Sequence, residues 1–230
     1  MRGLLPELCT VCKLELQPTE QSICHVCVAS LARCSQLDVA PLMKLAGTLP
    51  SRKHPSIFDA CLAFAEPTKT LCYSFKYGQN SRLARQLGKR IMAPKIAASL
   101  APRLASTQEV VLCPMPIHFK RRWSRGYNQS AQLARGCASG LRALGIPACT
   151  MNLLEKSLYR KSQVHLDGFA RWSNAQGTFR AKKNRPPKEA ILVLVDDTVA
   201  TGATMLYAAE ALLQAHPQME LHLVALAVDL

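Results

Sequence analysis

The residues best suited to chemistry lie near the end of the chain, in Val195-Asp-Asp-Thr-Val-Ala-Thr-Gly-Ala-Thr204. Two adjacent acids, Asp196 and Asp197, follow the apolar run Ala190 to Val195. Burying carboxylates without partners is costly, so they belong in a cleft with a cation or with sugar hydroxyls. The next residues, Thr198 to Thr204, are small and hydroxyl-rich around Gly202. Such a loop turns several backbone N–H groups onto one phosphate, and a following helix adds the positive end of its dipole. The alternative is an ordinary strand-to-helix turn with Asp and Thr caps, but the stretch is longer than a cap needs. It is neither a Walker loop nor a G-x-G-x-x-G turn.

A second cluster sits at the other end. Cys9-Thr-Val-Cys12 and Cys24-His-Val-Cys27 are separated by eleven residues. Two such turns give a closed tetrahedral four-sulfur site for Zn²⁺, with no position left for a reactive water. A metal there is structural, and in so short a segment it supplies most of the folding energy. A redox C-x-x-C is the competing reading, and the pairing of two motifs argues against it. His25 reads as a solvated turn residue. Cys34 is an alternative ligand without a neighbouring cysteine. The remaining cysteines are scattered, which fits buried thiols better than a secreted disulfide framework.

Certain elements must hold these residues. Ala190–Val195 reads as a central parallel strand. Met205, Ala208, Ala209, Leu212 and Leu213 trace one face of the helix after the loop, and Leu221–Val228 is a further strand, completing a βαβ unit. Upstream, Ile57–Ala65 and Glu109–Cys113 are buried strands. Pro67 opens a helix carrying Leu71, Cys72, Phe75 and Lys76. Ser81 is the expected N-cap of a second helix, which Pro94 kinks or divides. Tyr127–Leu144 is helical and stops at Gly145. The stretch from Lys156 to Arg185 has no clean periodicity and reads as a long loop entering a short strand near Gly177–Arg180. The fold class is therefore α/β, with residues 1–45 as a zinc-binding module and 46–230 as the main domain.

Charge is unevenly spread along the 230 residues, whose formal net charge is +14. From Lys69 to Lys188 there are 23 lysines and arginines against three acids; from Glu189 onward there are six acids and no Lys or Arg. A basic centre of that kind suits phosphorylated metabolites, nucleic acid or an acidic surface; the plainer reading is a solubilising face. No window of about 18 apolar residues suggests a membrane span, and the apolar stretch at the N-terminus is too short for a signal-peptide core. The expected location is cytoplasmic.

The strand, the two acids and the hydroxyl-rich loop together resemble the signature with which type I phosphoribosyltransferases bind 5-phosphoribosyl-1-pyrophosphate (PRPP). Phe75-Lys-Tyr-Gly78, Pro114-Met-Pro-Ile-His-Phe-Lys-Arg-Arg122, Arg125-Gly-Tyr-Asn-Gln-Ser130, Lys161-Ser-Gln163 through Arg171 to Phe179, and the paired C-x-x-C knuckles are similar, in order, to the ComF family, which includes the competence protein ComFC and GntX-like relatives. The resemblance implies a type I phosphoribosyltransferase-like parallel sheet flanked by helices, with a small N-terminal four-cysteine zinc module. It implies that Asp196 and Asp197 hold the ribose hydroxyls. Thr198, Val199, Ala200, Thr201, Gly202, Ala203 and Thr204 would wrap the 5-phosphate, with Ala200 standing where many members carry Thr. Lys120, Arg121, Arg122 and Arg125 fall in the pyrophosphate loop, and Arg160, Lys161, Gln163 and Arg171 in a closing loop. Zn²⁺ on Cys9, Cys12, Cys24 and Cys27, and Mg²⁺ with PRPP, are the implied cofactors.

The family is associated with natural transformation and the use of extracellular DNA. This makes single-stranded DNA, and DNA-uptake helicases or recombination proteins, the expected partners. Cations among Phe75, Tyr77, Phe119, Trp123, Tyr127, Tyr159, Phe169 and Trp172 suit such a strand. Three roles follow: a transferase with an acceptor the sequence does not name, a DNA-binding factor without transfer, and a PRPP-responsive regulator. His118 and His165 are candidate bases, and a catalytic residue is not readable.

Overall fold

The computed structural model describes residues 6–34, 36–47, 55–78, 80–105, 108–117, 123, 126–156 and 178–229. Five strands form one parallel sheet: β1 (Ile57–Ala63), β2 (Val110–Pro114), β3 (Ala148–Thr150), β6 (Ile191–Val199) and β7 (Leu221–Val228), in the spatial order β1-β7-β6-β2-β3. Two short strands, β4 (Leu154–Lys156) and β5 (Phe179–Ala181), pair antiparallel beside it. Helices are α1 (His25–Ala29), α2 (Gln36–Ala46), α3 (Thr68–Tyr77), α4 (Ser81–Leu87), α5 (Ala93–Leu100), α6 (Gln129–Ala143) and α7 (Ala203–Ala215), with a π-helical stretch, Gly88–Met92, joining α4 to α5.

The continuous apolar strands are explained by cores on both faces of the sheet. Ile191, Val193 and Val195 join Val110 and Leu112 against Leu83, Leu87, Leu133 and Leu141. Leu192 and Leu194 join Val111, Leu221 and Leu223 against Met205, Leu206, Leu212 and Leu213. So α4, α5 and α6 cover one face and α2 and α7 the other. This is the parallel, helix-flanked α/β architecture expected from the sequence.

Two helices approach to backbone distance. A Cβ on Gly136 of α6 would lie 2.1 Å from the Arg85 carbonyl oxygen, and one on Gly88 would lie 2.2 Å from that of Leu133. Only glycine permits the crossing. The π-helical turn stands where α4 passes α6, and Pro94 comes after it, in the first turn of α5. The N-cap of α4 is Asn80 rather than Ser81: its side-chain oxygen accepts from the Leu83 N–H at 2.9 Å.

The N-terminal segment packs on the α4 face. Cys9, Leu16, Ile23, Cys27 and Leu31 belong to that core. Three side chains four residues apart, on one helical face, reach it. Arg82 pairs with Glu7 at 2.6 Å, Gln86 donates to Gln21 Oε1 at 3.0 Å, and Arg90 donates to the Ile23 carbonyl at 2.8 Å. Among the described residues no helix is long and apolar enough to cross a membrane.

Candidate functional site

β2 and β6 are neighbours, yet the helices that follow them lie on opposite faces: α6 after β2 on one side, α7 after β6 on the other. Such a reversal opens a crevice beyond the carboxyl ends of the two strands, where open α/β sheets take their ligands. β2 leaves the ladder at Pro114, opposite Val195, while β6 continues along β7 to Val199. Asp196 and Asp197 are therefore the first residues of β6 without a β2 partner. The sequence reading ended the strand at Val195; the β7 pairing carries it four residues further.

Asp196 Oδ1 accepts from Ser130 Oγ at 2.9 Å and from the Asp197 N–H at 2.8 Å. Burial and the neighbouring Asp197 charge push its pKa up from 3.8 to about 7, against the pull of those two hydrogen bonds and of Lys76. Asp197, with its side chain 14% exposed, pairs with Lys76 Nζ at 3.3 Å. The same ammonium donates to Thr198 Oγ1 at 2.9 Å. Gly202 adopts φ 75° at the start of α7, a left-handed conformation that suits glycine, and a Cβ there would lie 2.7 Å from Leu42 of α2.

The stretch from Gly126 to Ser130 links the two strand ends. Gly126 has φ 75°. Tyr127 donates its hydroxyl to the Phe75 carbonyl. Asn128 caps α6 through its side-chain oxygen and donates from Nδ2 to the Met115 carbonyl at 2.9 Å. Ser130 then reaches Asp196. Lys76 and Ser130 are thus site residues that sequence reading did not single out. Their motifs were visible, but the contacts span 122 and 66 residues.

Of the loop residues, Thr198 and Val199 end β6, Ala200, Thr201 and Gly202 form the turn, and Ala203 and Thr204 open α7. Lys120, Arg121, Arg122, Arg125, Arg160, Lys161, Gln163 and Arg171 lie outside the described residues, as do His118, Phe119, Tyr159, His165, Phe169 and Trp172. Phe75 is fully buried in the core and offers no face to a base, whereas Tyr77 and Trp123 are exposed.

At the N-terminus the sulfurs of Cys9, Cys12, Cys24 and Cys27 lie within 4.8 Å of one another, with Cys12 and Cys24 at 3.9 Å. A tetrahedron with Zn–S of 2.3 Å has edges of about 3.8 Å, so four thiolates around one Zn²⁺ fit this cluster. The Cys24 N–H donates to Cys9 Sγ and the Cys27 N–H to Cys24 Sγ, each at 3.4 Å. Burial raises the Cys9 pKa, but N–H groups of Cys24, Cys12 and Val11 outweigh it and bring the thiol down from 9.0 to about 6, whereas burial and the neighbouring sulfurs push Cys27 up, so the first thiolate of the cluster falls on Cys9. His25 stands apart from the cluster, its Nδ1 2.8 Å from Glu20 Oε1. Cys34 also stands apart, its N–H donating to the Cys61 carbonyl at 3.2 Å.

No protein-family model matches the chain. It is 26% identical over 223 residues to the DNA utilization protein YhgH of Salmonella typhimurium, covering 91% of this chain and 92% of that protein. The YhgH of Escherichia coli K12 is 25% identical over 219 residues with the same coverage. Competence protein F of Haemophilus influenzae is 27% identical over 144 residues, 62% of this chain and 60% of that one. Among solved structures, a hypoxanthine-guanine phosphoribosyltransferase of L. donovani superposes with a TM-score of 0.38 and 16% identity, over 64% of this chain and 67% of that one. The chain is similar over most of its length to the DNA utilization protein YhgH and over part of it to competence protein F, and it combines a helix-flanked parallel sheet with a four-cysteine cluster.

Proposed function

We propose that the chain binds PRPP with Mg²⁺ at the crevice between β2 and β6 and works in the use of DNA, in contact with single strands. One observation carries the PRPP reading: two acids and a small, hydroxyl-rich loop stand at the reversal point of the sheet, where a helix N-terminus follows. In this reading Asp196 and Asp197 accept from the ribose 2- and 3-hydroxyls. Backbone N–H groups from Thr198 to Thr204 surround the 5-phosphate. Mg²⁺ supplies charge neutralisation for the pyrophosphate oxygens. Lys120, Arg121, Arg122 and Arg125 are the cations for the leaving pyrophosphate, and Arg160, Lys161, Gln163 and Arg171 close over it. Zn²⁺ on the four cysteines is structural. If transfer occurs, the C1–pyrophosphate bond breaks, a nucleophile bonds to C1, and its proton leaves with a base.

The test is hydrogen exchange of the amides from 198 to 204. Slower exchange with PRPP and Mg²⁺, and less slowing with ribose 5-phosphate, is the expected result. Unchanged exchange at saturating PRPP overturns the reading.

The relatives' names favour a second reading, a DNA-binding factor in which PRPP is a regulator rather than a substrate. The proposed partners are single-stranded DNA and the helicases or recombination proteins of DNA uptake. Release of pyrophosphate that depends on a co-substrate favours transfer. PRPP-dependent DNA affinity without turnover favours regulation.

A further inference from the structure

α3 buries Leu71, Cys72 and Phe75. Positions four apart share another face, and there Lys69, Tyr73 and Tyr77 make a row. Tyr73 is 53% exposed and Tyr77 67%. Their rings are stacked, with centroids 6.1 Å apart and planes at 27°. Phe64, just ahead of the helix, extends the row with an edge contact to Tyr73 at 6.5 Å. The Lys69 ammonium lies 5.6 Å from the Phe64 centroid.

A solvent-facing tyrosine pair at this spacing adds little to helix stability, a small return for two large exposed rings. The surroundings indicate what else they do. α3 carries Lys69 and Lys76 and no acid. Glu66 belongs to a neighbouring row, where it accepts from Thr70 Oγ1 at 2.7 Å. Lys76, between the two tyrosines in sequence, reaches Asp197 and Thr198. The aromatic row therefore starts beside the crevice and runs away from it along a basic helix. Flat rings with a cation, Lys69, at one end of the row suit unpaired bases on a phosphate backbone. An apolar protein surface would leave Lys69 without a counter-charge, Lys76 being engaged by Asp197, and a duplex keeps its base faces stacked inside.

We infer that single-stranded DNA runs along α3, with bases stacked on Tyr73 and Tyr77 and its backbone near Lys69. This rests on the DNA contact proposed above and assigns it a surface. The experiment is fluorescence anisotropy of a labelled oligothymidylate with the full chain, its Tyr73→Ala/Tyr77→Ala variant and its Tyr73→Phe/Tyr77→Phe variant. The alanine variant should bind at least roughly tenfold more weakly, the phenylalanine variant close to wild type, and a duplex should compete poorly. Wild-type affinity in a folded alanine variant, or equal competition by duplex, overturns the platform and leaves the DNA contact standing. No binding by wild type overturns both. Crosslinking of wild type to an iododeoxyuridine oligonucleotide decides the matter independently of variant folding: attachment within 64–77 supports the platform, and attachment only elsewhere overturns it.

Discussion

Burial and the neighbouring Asp197 charge disfavour the ionised form of Asp196 and raise its pKa from 3.8 to about 7. The sign follows from linkage. Between those two values the folded protein keeps a proton that the unfolded chain has released, so this residue's contribution to stability falls as pH rises through the window. Asp196→Asn, which cannot ionise, should gain stability relative to wild type from pH 4 to pH 7, as read by urea unfolding at each pH. A constant difference across that range would mean that Asp196 titrates normally. Lys76 is one of the groups holding that pKa down, so Lys76→Met should move the window upward; a window that stays in place or moves down would show that Lys76 does not act on the acid pair. Asp196, Asp197 and the loop were legible in sequence because they are contiguous. Lys76 and Ser130 were not, because a tertiary contact is what brings them in, and Phe75 was read as a stacking candidate because composition does not distinguish a core ring from an exposed one.

At the scale of elements, the contact between α4 and α6 depends on glycine. Gly136→Ala would push a methyl toward the Arg85 carbonyl, and overpacking of this kind costs about 1–3 kcal/mol. Denaturant unfolding should show a loss of that order, and a neutral substitution would mean the helices separate freely. The N-terminal segment that carries the cysteines is tied to α4 through Arg82 and Gln86 and to the π-helical stretch after it through Arg90, so metal removal should be felt beyond the knuckles. A strong chelator should lower the thermal midpoint of the whole chain; an unchanged melt would contradict a structural metal. The long strands and helices were legible from apolar runs. β3 and β4, three residues each, were not, since their place is fixed by pairing rather than by pattern. Cap choice between Asn80 and Ser81 was settled by one residue of register, which both side chains satisfy on paper.

Over the whole molecule, charge and topology act together. The basic centre of the sequence and the acidic end meet in the fold at Lys76 and Asp197. The sheet order, which no local pattern dictates, puts β2 beside β6 and so opens the crevice. Binding of single-stranded DNA should weaken linearly with log salt, by about 0.7 log units per neutralised phosphate for each decade; affinity insensitive to salt would contradict an electrostatic contact. The most direct measurement is calorimetric titration of PRPP and Mg²⁺ into wild type and into Asp196→Ala/Asp197→Ala. Saturable binding by wild type, lost in a folded double variant, is the expected result. No heat of binding from a well-folded wild type, or equal affinity in the variant, would contradict a PRPP site at the end of β6.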